Sequence, residues 1–291
     1  STGLISLGSA VRIRLSLPLK MKNIKIYCIT LNNEHYEKIN QLGYLPVGLG
    51  NKIKSKSFLR DNTNNNISEK NPFYGEYTFH YWLWKNRILE NEKNWIGFCQ
   101  YRKHWADKNE STNLKTLDDL NKILLKKITT NYNQYESILG EEIFINQFRA
   151  SKFIKKNFKT MIINPSLFFN KNKRSIKFHF DMMHGEGNLN KAIKLLNNVD
   201  QGDFKDFVNT EVSFNPHNMF ICKSYKILES YYSALFPWLS DCEKIFGFNL
   251  ESYGLKRIYG FLAERYMSFW FKKYTKYTTA PIIFKDISEL S

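Results

Sequence analysis

The chain predicts an α/β fold, one domain with a mostly parallel, Rossmann-like sheet flanked by helices, on three observations. Its 291 residues are enough to bury a sizeable core. Short β-branched and aromatic runs alternate with helical patterns, the order that builds βαβ units. Apolar residues make up 43% of the chain and aromatic ones 16%, far above what a solvated tail carries.

The elements follow in order. Residues 1–20 precede Met21, where the chain flows straight into a first strand. They are read as an upstream segment outside the fold, with the domain running over 21–291; their apolar stretches are too short and interrupted for a secretory signal. Residues 24–30 have the density of a buried strand and end in a polar loop, 31–34. Residues 43–50 are punctuated by Gly and Pro, and the Lys- and Asn-rich 51–70 read as a loop. Asn71-Pro72 starts a helix expected to reach 89, with Tyr74, Tyr77, Tyr81, Trp84 and Ile88 on one face. Residues 95–99 form another buried strand. Further on come helical patterns at 117–128 and 146–158, an apolar run at 161–163, and helices near 188–198 and 203–209. A strand at 217–222, a helix over 225–245 stopped by Gly247, a helix over 254–273 and a strand at 281–284 complete the chain.

The formal net charge is +16, with lysine runs at 52–56, 152–159 and 171–177. Such a field attracts nucleic acid, anionic lipid or phosphorylated substrates, and the plainer alternative is a lysine-rich surface that is merely solvated. No window approaches the roughly 20 apolar residues of a spanning helix. The expected location is cytoplasmic, with peripheral contact at an anionic inner membrane allowed by the charge. Cys28, Cys99, Cys222 and Cys242 show no C-x-x-C pairing and read as buried thiols, with neither a zinc site nor a disulfide framework.

Ligands of open α/β sheets bind outside the carboxyl ends of the strands. That rule singles out Thr30 and its loop, the segment after Cys99, and the loop before the helix at 72. The strand at 95–99 runs into Gln100-Tyr101-Arg102-Lys103-His104-Trp105, where Arg102 and Lys103 are suited to neutralising a diphosphate; the alternative is a solvated basic turn. The polar stretch 61–71 leads into a helix N-terminus, a place for a pyrophosphate, though Asn-rich loops commonly only make turns. His179-Phe180-Asp181-Met182-Met183-His184-Gly185-Glu186 concentrates imidazole and carboxylate. His179, Asp181 and His184 are candidate ligands for manganese or zinc, or the imidazoles hydrogen-bond within a helix or contact an acceptor.

These stretches together carry a resemblance. Asp61-Asn62-Thr63, Asn66-Ile67-Ser68 and Lys70-Asn71-Pro72, then Glu76-Tyr77-Thr78 and Tyr81-Trp82-Leu83-Trp84-Lys85-Asn86, then Ile96-Gly97-Phe98-Cys99-Gln100-Tyr101-Arg102-Lys103 resemble ordered blocks of DUF4422, a family of domains of unknown function. Asn218-Met219-Phe220-Ile221 and Gly260-Phe261-Leu262-Ala263-Glu264-Arg265 resemble two further blocks. The resemblance covers nearly all of 21–285. It departs at Gln100, where the family commonly has His, at Asn64 in place of Gly, and around 146–190, which is only loosely similar.

The resemblance implies a GT-A-like glycosyltransferase of surface-glycan clusters (capsule, lipopolysaccharide), using a nucleotide-diphosphate sugar. A UDP-sugar is favoured, with a hexose such as galactose as the moiety moved. Donor-binding residues would be Thr30, Asp61, Asn62, Thr63, Asn66, Lys70, Asn71, Lys85, Gln100, Tyr101, Arg102 and Lys103. Acceptor-binding residues would be His179, His184, Asn218 and Arg265, with a glycan or lipid-linked glycan as acceptor.

Many GT-A enzymes hold a divalent ion, manganese or magnesium, with an Asp-x-Asp at the end of the strand matching 95–99. This chain has Gln100-Tyr101-Arg102 there, which leaves the metal open and gives cationic side chains its work on the leaving diphosphate. Glu264 is the first candidate for the base, lying amid Phe261, Leu262 and Tyr266; a salt bridge to Arg257 or Lys256 is the structural alternative. Asp181 and Glu76 follow. The competing functions are a basic nucleic-acid-binding protein, which no recognisable module supports, and a catalytically inactive glycan-binding scaffold.

Overall fold

The computed structural model describes residues 22–50, 53, 55–107, 113–147, 170 and 173–291. Twelve strands are present among these residues: β1 (Lys22–Thr30), β2 (Leu45–Gly48), β3 (Leu59–Arg60), β4 (Trp95–Gln100), β5 (Lys103–Trp105), β6 (Lys127–Ile128), β7 (Ser137–Gly140), β8 (Ile143–Phe144), β9 (Ser213–Phe214), β10 (Phe220–Cys222), β11 (Tyr277–Ala280) and β12 (Ile282–Phe284). The α-helices are α1 (His35–Gln41), α2 (Asn71–Tyr74), α3 (Tyr77–Lys85), α4 (Leu117–Ile123), α5 (Thr130–Asn133), α6 (Ile176–His184), α7 (Asn188–Ile193), α8 (Asn198–Thr210), α9 (Tyr225–Phe246), α10 (Tyr253–Lys256) and α11 (Ile258–Tyr274).

The main sheet runs β11-β7-β10-β4-β1-β2-β3. Its pairs are parallel except where β10 lies antiparallel between β4 and β7. Alternation along each strand supplies two buried faces. Tyr27, Ile29, Ile96, Phe98, Phe220 and Cys222 face a large aromatic core under α3, α9 and α11. Ile26, Cys28, Trp95, Cys99 and Ile221 face a smaller core with α1 and α4. The sheet is closely packed at Gly97, where a Cβ would stand 3.0 Å from Ile221 Cγ1 and 3.2 Å from Ile26 Cγ1. All four cysteines are free and buried. No helix of the described residues is long and apolar enough to cross a membrane.

Several elements differ from expectation, each for a local reason. The helix expected over 72–89 is broken at Gly75, which takes φ +61°, so α2 ends at Tyr74 and α3 begins at Tyr77. The break matters for the site, because a Cβ at Gly75 would collide with the Arg257 guanidinium. The pattern at 117–128 splits into α4 and β6, since Leu124 is already extended. The strand expected at 217–222 begins only at Phe220, because His217 and Asn218 adopt φ +76° and +54°. A break at Arg257 divides the last helix into α10 and α11. Residues 1–20, the pattern at 146–158 (beyond Gln147), the run at 161–163 and the lysines at 152–159 lie outside the described residues.

Candidate active site

The site grows from the carboxyl end of β4. Gln100 there pairs with Lys103 across a tight turn, so Tyr101 and Arg102 form the tip of a β4–β5 hairpin. His104 and Trp105 turn inward and are fully buried. Of the basic segment read from sequence, only its first four residues therefore remain near the sheet end. Tyr101 packs on the His35 ring at 4.9 Å, and Arg102 is exposed.

Gln100 Nε2 donates to Glu76 Oε1 at 3.4 Å and to the His217 carbonyl at 3.3 Å. Glu76 sits just before α3, where the Gly75 break aims it at the sheet end. Its Oε1 also accepts from Asn218 Nδ2 at 2.8 Å, and Oε2 lies 3.5 Å from Arg257 Nη2. Asn218 Oδ1 is buried with no hydrogen-bond partner. The His217–Asn218 pair holds these contacts through two consecutive left-handed residues, a conformation that costs energy outside glycine and collects at functional sites.

On the other side of that turn, the His217 N–H donates to Glu264 Oε1 at 2.6 Å. Glu264 Oε2 pairs with Arg265, so the ion pair goes to Arg265 and not to Arg257 or Lys256. Arg265 is 2% exposed, lies over the Phe214 ring at 4.1 Å, and brings Nη2 to 3.4 Å from His179 Nδ1. Lys103 Nζ donates to His217 Nδ1 at 3.1 Å, which leaves the imidazole proton on Nε2. Burial, and then the charges of Lys103 and Arg102, push His217 down to about 3, so the ring is neutral. Burial also lowers Lys103, opposed by Glu76 and Glu264.

Beside this network opens a cavity of about 610 Å³, lined by His179, His184, His217, Tyr253, Phe261, Glu264 and Arg265 among others. The His184 ring stacks on Phe261 at 4.0 Å and its Nδ1–H donates to the Gly254 carbonyl at 3.0 Å. Glu264 is the carboxylate among the lining residues. Thus Gln100, Lys103, His179, His184, Asn218, Glu264 and Arg265 are brought together or around one cavity.

Other expected residues go elsewhere. Asp181 takes Lys177 Nζ on Oδ2 at 2.6 Å and does not line the cavity. His179 and His184 line the cavity while Asp181 is taken by Lys177, and among the described residues no three His, Cys, Asp or Glu side chains stand close enough to hold a metal ion. The Asp61 block forms an internal latch. Asp61 is fully buried, accepting from the Gly50 N–H at 2.8 Å and the Thr78 hydroxyl at 2.6 Å, and burial raises its carboxyl against those bonds. Asn71 Nδ2 donates to the Gly75 carbonyl, Asn62 Oδ1 accepts from Arg60, and Asn66 Oδ1 accepts from the Ser68 N–H. Thr63 receives the Trp82 indole N–H at 3.0 Å. Lys70 pairs with Glu243 at 2.8 Å, Lys85 lies exposed over Trp84 at 3.9 Å, and Thr30 Oγ1 is 2.7 Å from His35 Nδ1 inside the first βα loop.

His217 and Arg257 are the site residues that sequence reasoning missed as such. The signal for the first was present: Asn215-Pro216 is a turn-forming dipeptide set between Phe214 and Met219.

The family model described as a domain of unknown function, DUF4422, matches residues 25–276. The chain belongs to the DUF4422 family. No curated protein matches it. Among solved structures, it is similar to the apo structure of WbbM, a bifunctional glycosyltransferase, with a TM-score of 0.58 and 21% identity over 90% of this chain. The chain spans 45% of the length of that one. At such identity the likeness is one of fold, between this DUF4422 chain and the part of WbbM that it matches.

Proposed function

We propose that the chain is a glycosyltransferase that moves a sugar from a nucleotide-diphosphate donor, a UDP-sugar being favoured and a hexose such as galactose the expected moiety, to a hydroxyl of a surface-glycan acceptor. The observation that carries this is the Glu76–Asn218–His217–Glu264 network, which joins the carboxyl end of β4 to a cavity of about 610 Å³. The WbbM-like fold supports it. A nucleotide sugar needs a place at the strand ends and an acceptor needs a neighbouring hollow, and the cavity beside the end of β4 supports the second of these.

In this reading Glu264 takes the proton of the attacking hydroxyl. Its two oxygens are held by the His217 N–H and by Arg265, which aim the carboxylate along the cavity wall. Lys103 and Arg102 stand on the diphosphate side, and Arg257 reinforces Glu76. The carboxylate pair that would hold a divalent ion at the end of β4 is replaced by Gln100 and Arg102, so the residues present do not fit such an ion. The developing charge on the leaving diphosphate falls to these cations. His179, His184, Tyr253 and Phe261 offer rings and imidazole nitrogens to the acceptor. An acceptor linked to lipid would bring the chain to a membrane surface.

Release of nucleoside diphosphate from a panel of nucleotide sugars, with and without oligosaccharide acceptors, tests the proposal. Acceptor-stimulated release from one donor is expected. Absence of release from every donor, together with retained binding of glycan, would instead identify a non-catalytic glycan-binding protein; tight salt-sensitive binding of oligonucleotide alone would identify a nucleic-acid binder.

A further inference from the structure

A second cavity, of about 680 Å³, lies at the opposite end of the sheet and takes no part in the network above. Lys22 opens β1, Trp95 opens β4, and Lys223 follows β10, which runs antiparallel to β4 and so delivers its carboxyl end here. Lys93 precedes β4, Lys226 stands in the first turn of α9, and Trp270 of α11 closes one side. At about 3.3 Å per residue, roughly 17 Å of strand separates Trp95 from Gln100.

Lys22, Lys93, Lys223 and Lys226 all line this cavity, and none of them pairs with a carboxylate among the described residues. Of the acidic groups nearby, Glu92 holds Lys25, and Glu136, which also lines the cavity, has Oε2 turned to the Lys276 N–H at 2.9 Å, so four lysines stand against one carboxylate. Four ammonium groups around one hollow repel one another, and an anion placed among them removes that repulsion. Trp95, which is 1% exposed, also lines the hollow, and its indole N–H is buried without a partner. The N-cap Ser224 of α9 makes no side-chain capping bond, so the first N–H groups of this helix add to the positive field.

We infer that this cavity is a second anion site, one that takes a phosphate group. Its volume suits a small ligand or a headgroup and not a duplex. Its cations are lysines without arginine, point charges that suit a multiply charged phosphate better than the planar carboxylate that arginine grips with two parallel bonds. A soluble phosphate compound and a phospholipid headgroup present the same chemistry. The site requires no transferase activity, and its failure would leave the reading of the Glu264 cleft untouched.

Trp95 and Trp270 allow a direct test. Inorganic pyrophosphate is titrated while tryptophan emission is followed, against sodium chloride at equal ionic strength, for the wild type, the double variant Lys223→Gln/Lys226→Gln, the surface control Lys191→Gln/Lys205→Gln and the cleft variant Lys103→Gln. Thermal melts check that all are folded. Pyrophosphate is expected to change the emission of the wild type and the surface control alike, and to bind the double variant about tenfold or more weakly, since one bond to a charged group is worth of that order; whatever part of the response the cleft variant loses belongs to the donor cleft. Co-sedimentation with vesicles of phosphatidylglycerol in phosphatidylcholine then identifies the source. Loss of vesicle binding in the same double variant assigns a lipid headgroup; vesicle binding that is absent or unchanged, beside a lost pyrophosphate response, assigns a soluble phosphate. A response no greater than that to chloride, or equal in the double variant and the wild type, overturns the site.

Discussion

The stretch 61–78 and the segment 214–265 are both dense in polar side chains, yet they end in opposite conditions. In the first, the buried and half-buried groups close on other groups of the protein: Asp61 on Gly50 and Thr78, Asn71 on Gly75, Lys70 on Glu243. In the second, the bonds leave a remainder. Asn218 Oδ1 and Arg265 Nε are buried without partners, the consecutive pair His217 and Asn218 is held in left-handed conformations, and Glu264 faces a cavity. Satisfied polar groups stabilise a shape, whereas unsatisfied ones under strain are where a protein departs from its own packing rules for a ligand's sake. A motif rich in polar residues is thus not by itself a binding motif.

The sharpest break of this comparison lies at Glu264. Glu264→Gln is expected to lower turnover by about 10²- to 10⁴-fold, the usual worth of a positioned base, while a nucleotide sugar still raises the melting temperature of the variant. Unchanged turnover would remove Glu264 from the chemistry. Asp61→Ala should do the converse. It orphans a buried N–H and a buried hydroxyl, so chemical denaturation should show a loss of about 2 to 4 kcal/mol, with turnover per folded molecule retained.

The imidazoles supply a third test. Burial pushes His80 down to about 3, His104 to about 4 and, with nearby cations, His217 to about 3, against 6.5 when unfolded. Between about pH 6.5 and these folded values the unfolded chain binds more protons, so stability rises with pH across that window and is lost as pH falls through it. From pH 6.5 to 5 each imidazole is expected to contribute a loss of about 2 kcal/mol, and unfolding at pH 5 should take up protons in calorimetry run in buffers of different ionisation heat. A flat profile over that range would show that these rings reach solvent. The smallest effect belongs to Lys85, whose exposed contact with Trp84 is worth about 0.5 to 1 kcal/mol. Lys85→Gln should leave the donor KM unchanged, and a marked rise would return it to the donor site.

Much of the fold was legible because strand and helix periodicities are local. The run at 24–30 and the pattern before Gly247 appear as β1 and α9, and the buried cysteines follow from their apolar runs. The breaks were less so. Gly75 and the Asn215-Pro216 turn are short signals inside long apolar patterns, and what they accomplish, turning Glu76 toward Asn218 and His217 toward Glu264, involves partners 142 and 47 residues away in the chain. Asp181 illustrates the opposite case. Its neighbours in sequence suggested a ligand cluster, but His179 and His184 line the cavity while Lys177, one turn earlier, takes the Asp181 carboxylate.

The sequence by itself determined the α/β class, the family and the sheet end at which a ligand is to be sought, because periodicity, turn residues and ordered blocks are properties of neighbours along the chain. Only the tertiary structure decided which polar groups are free to act. Whether Lys70 meets a diphosphate or Glu243, and whether Glu264 pairs with Arg257 or with Arg265, depends on which side chains the packing of α3, α9 and α11 brings within hydrogen-bond reach, a distance of about 3 Å that no spacing along the chain encodes.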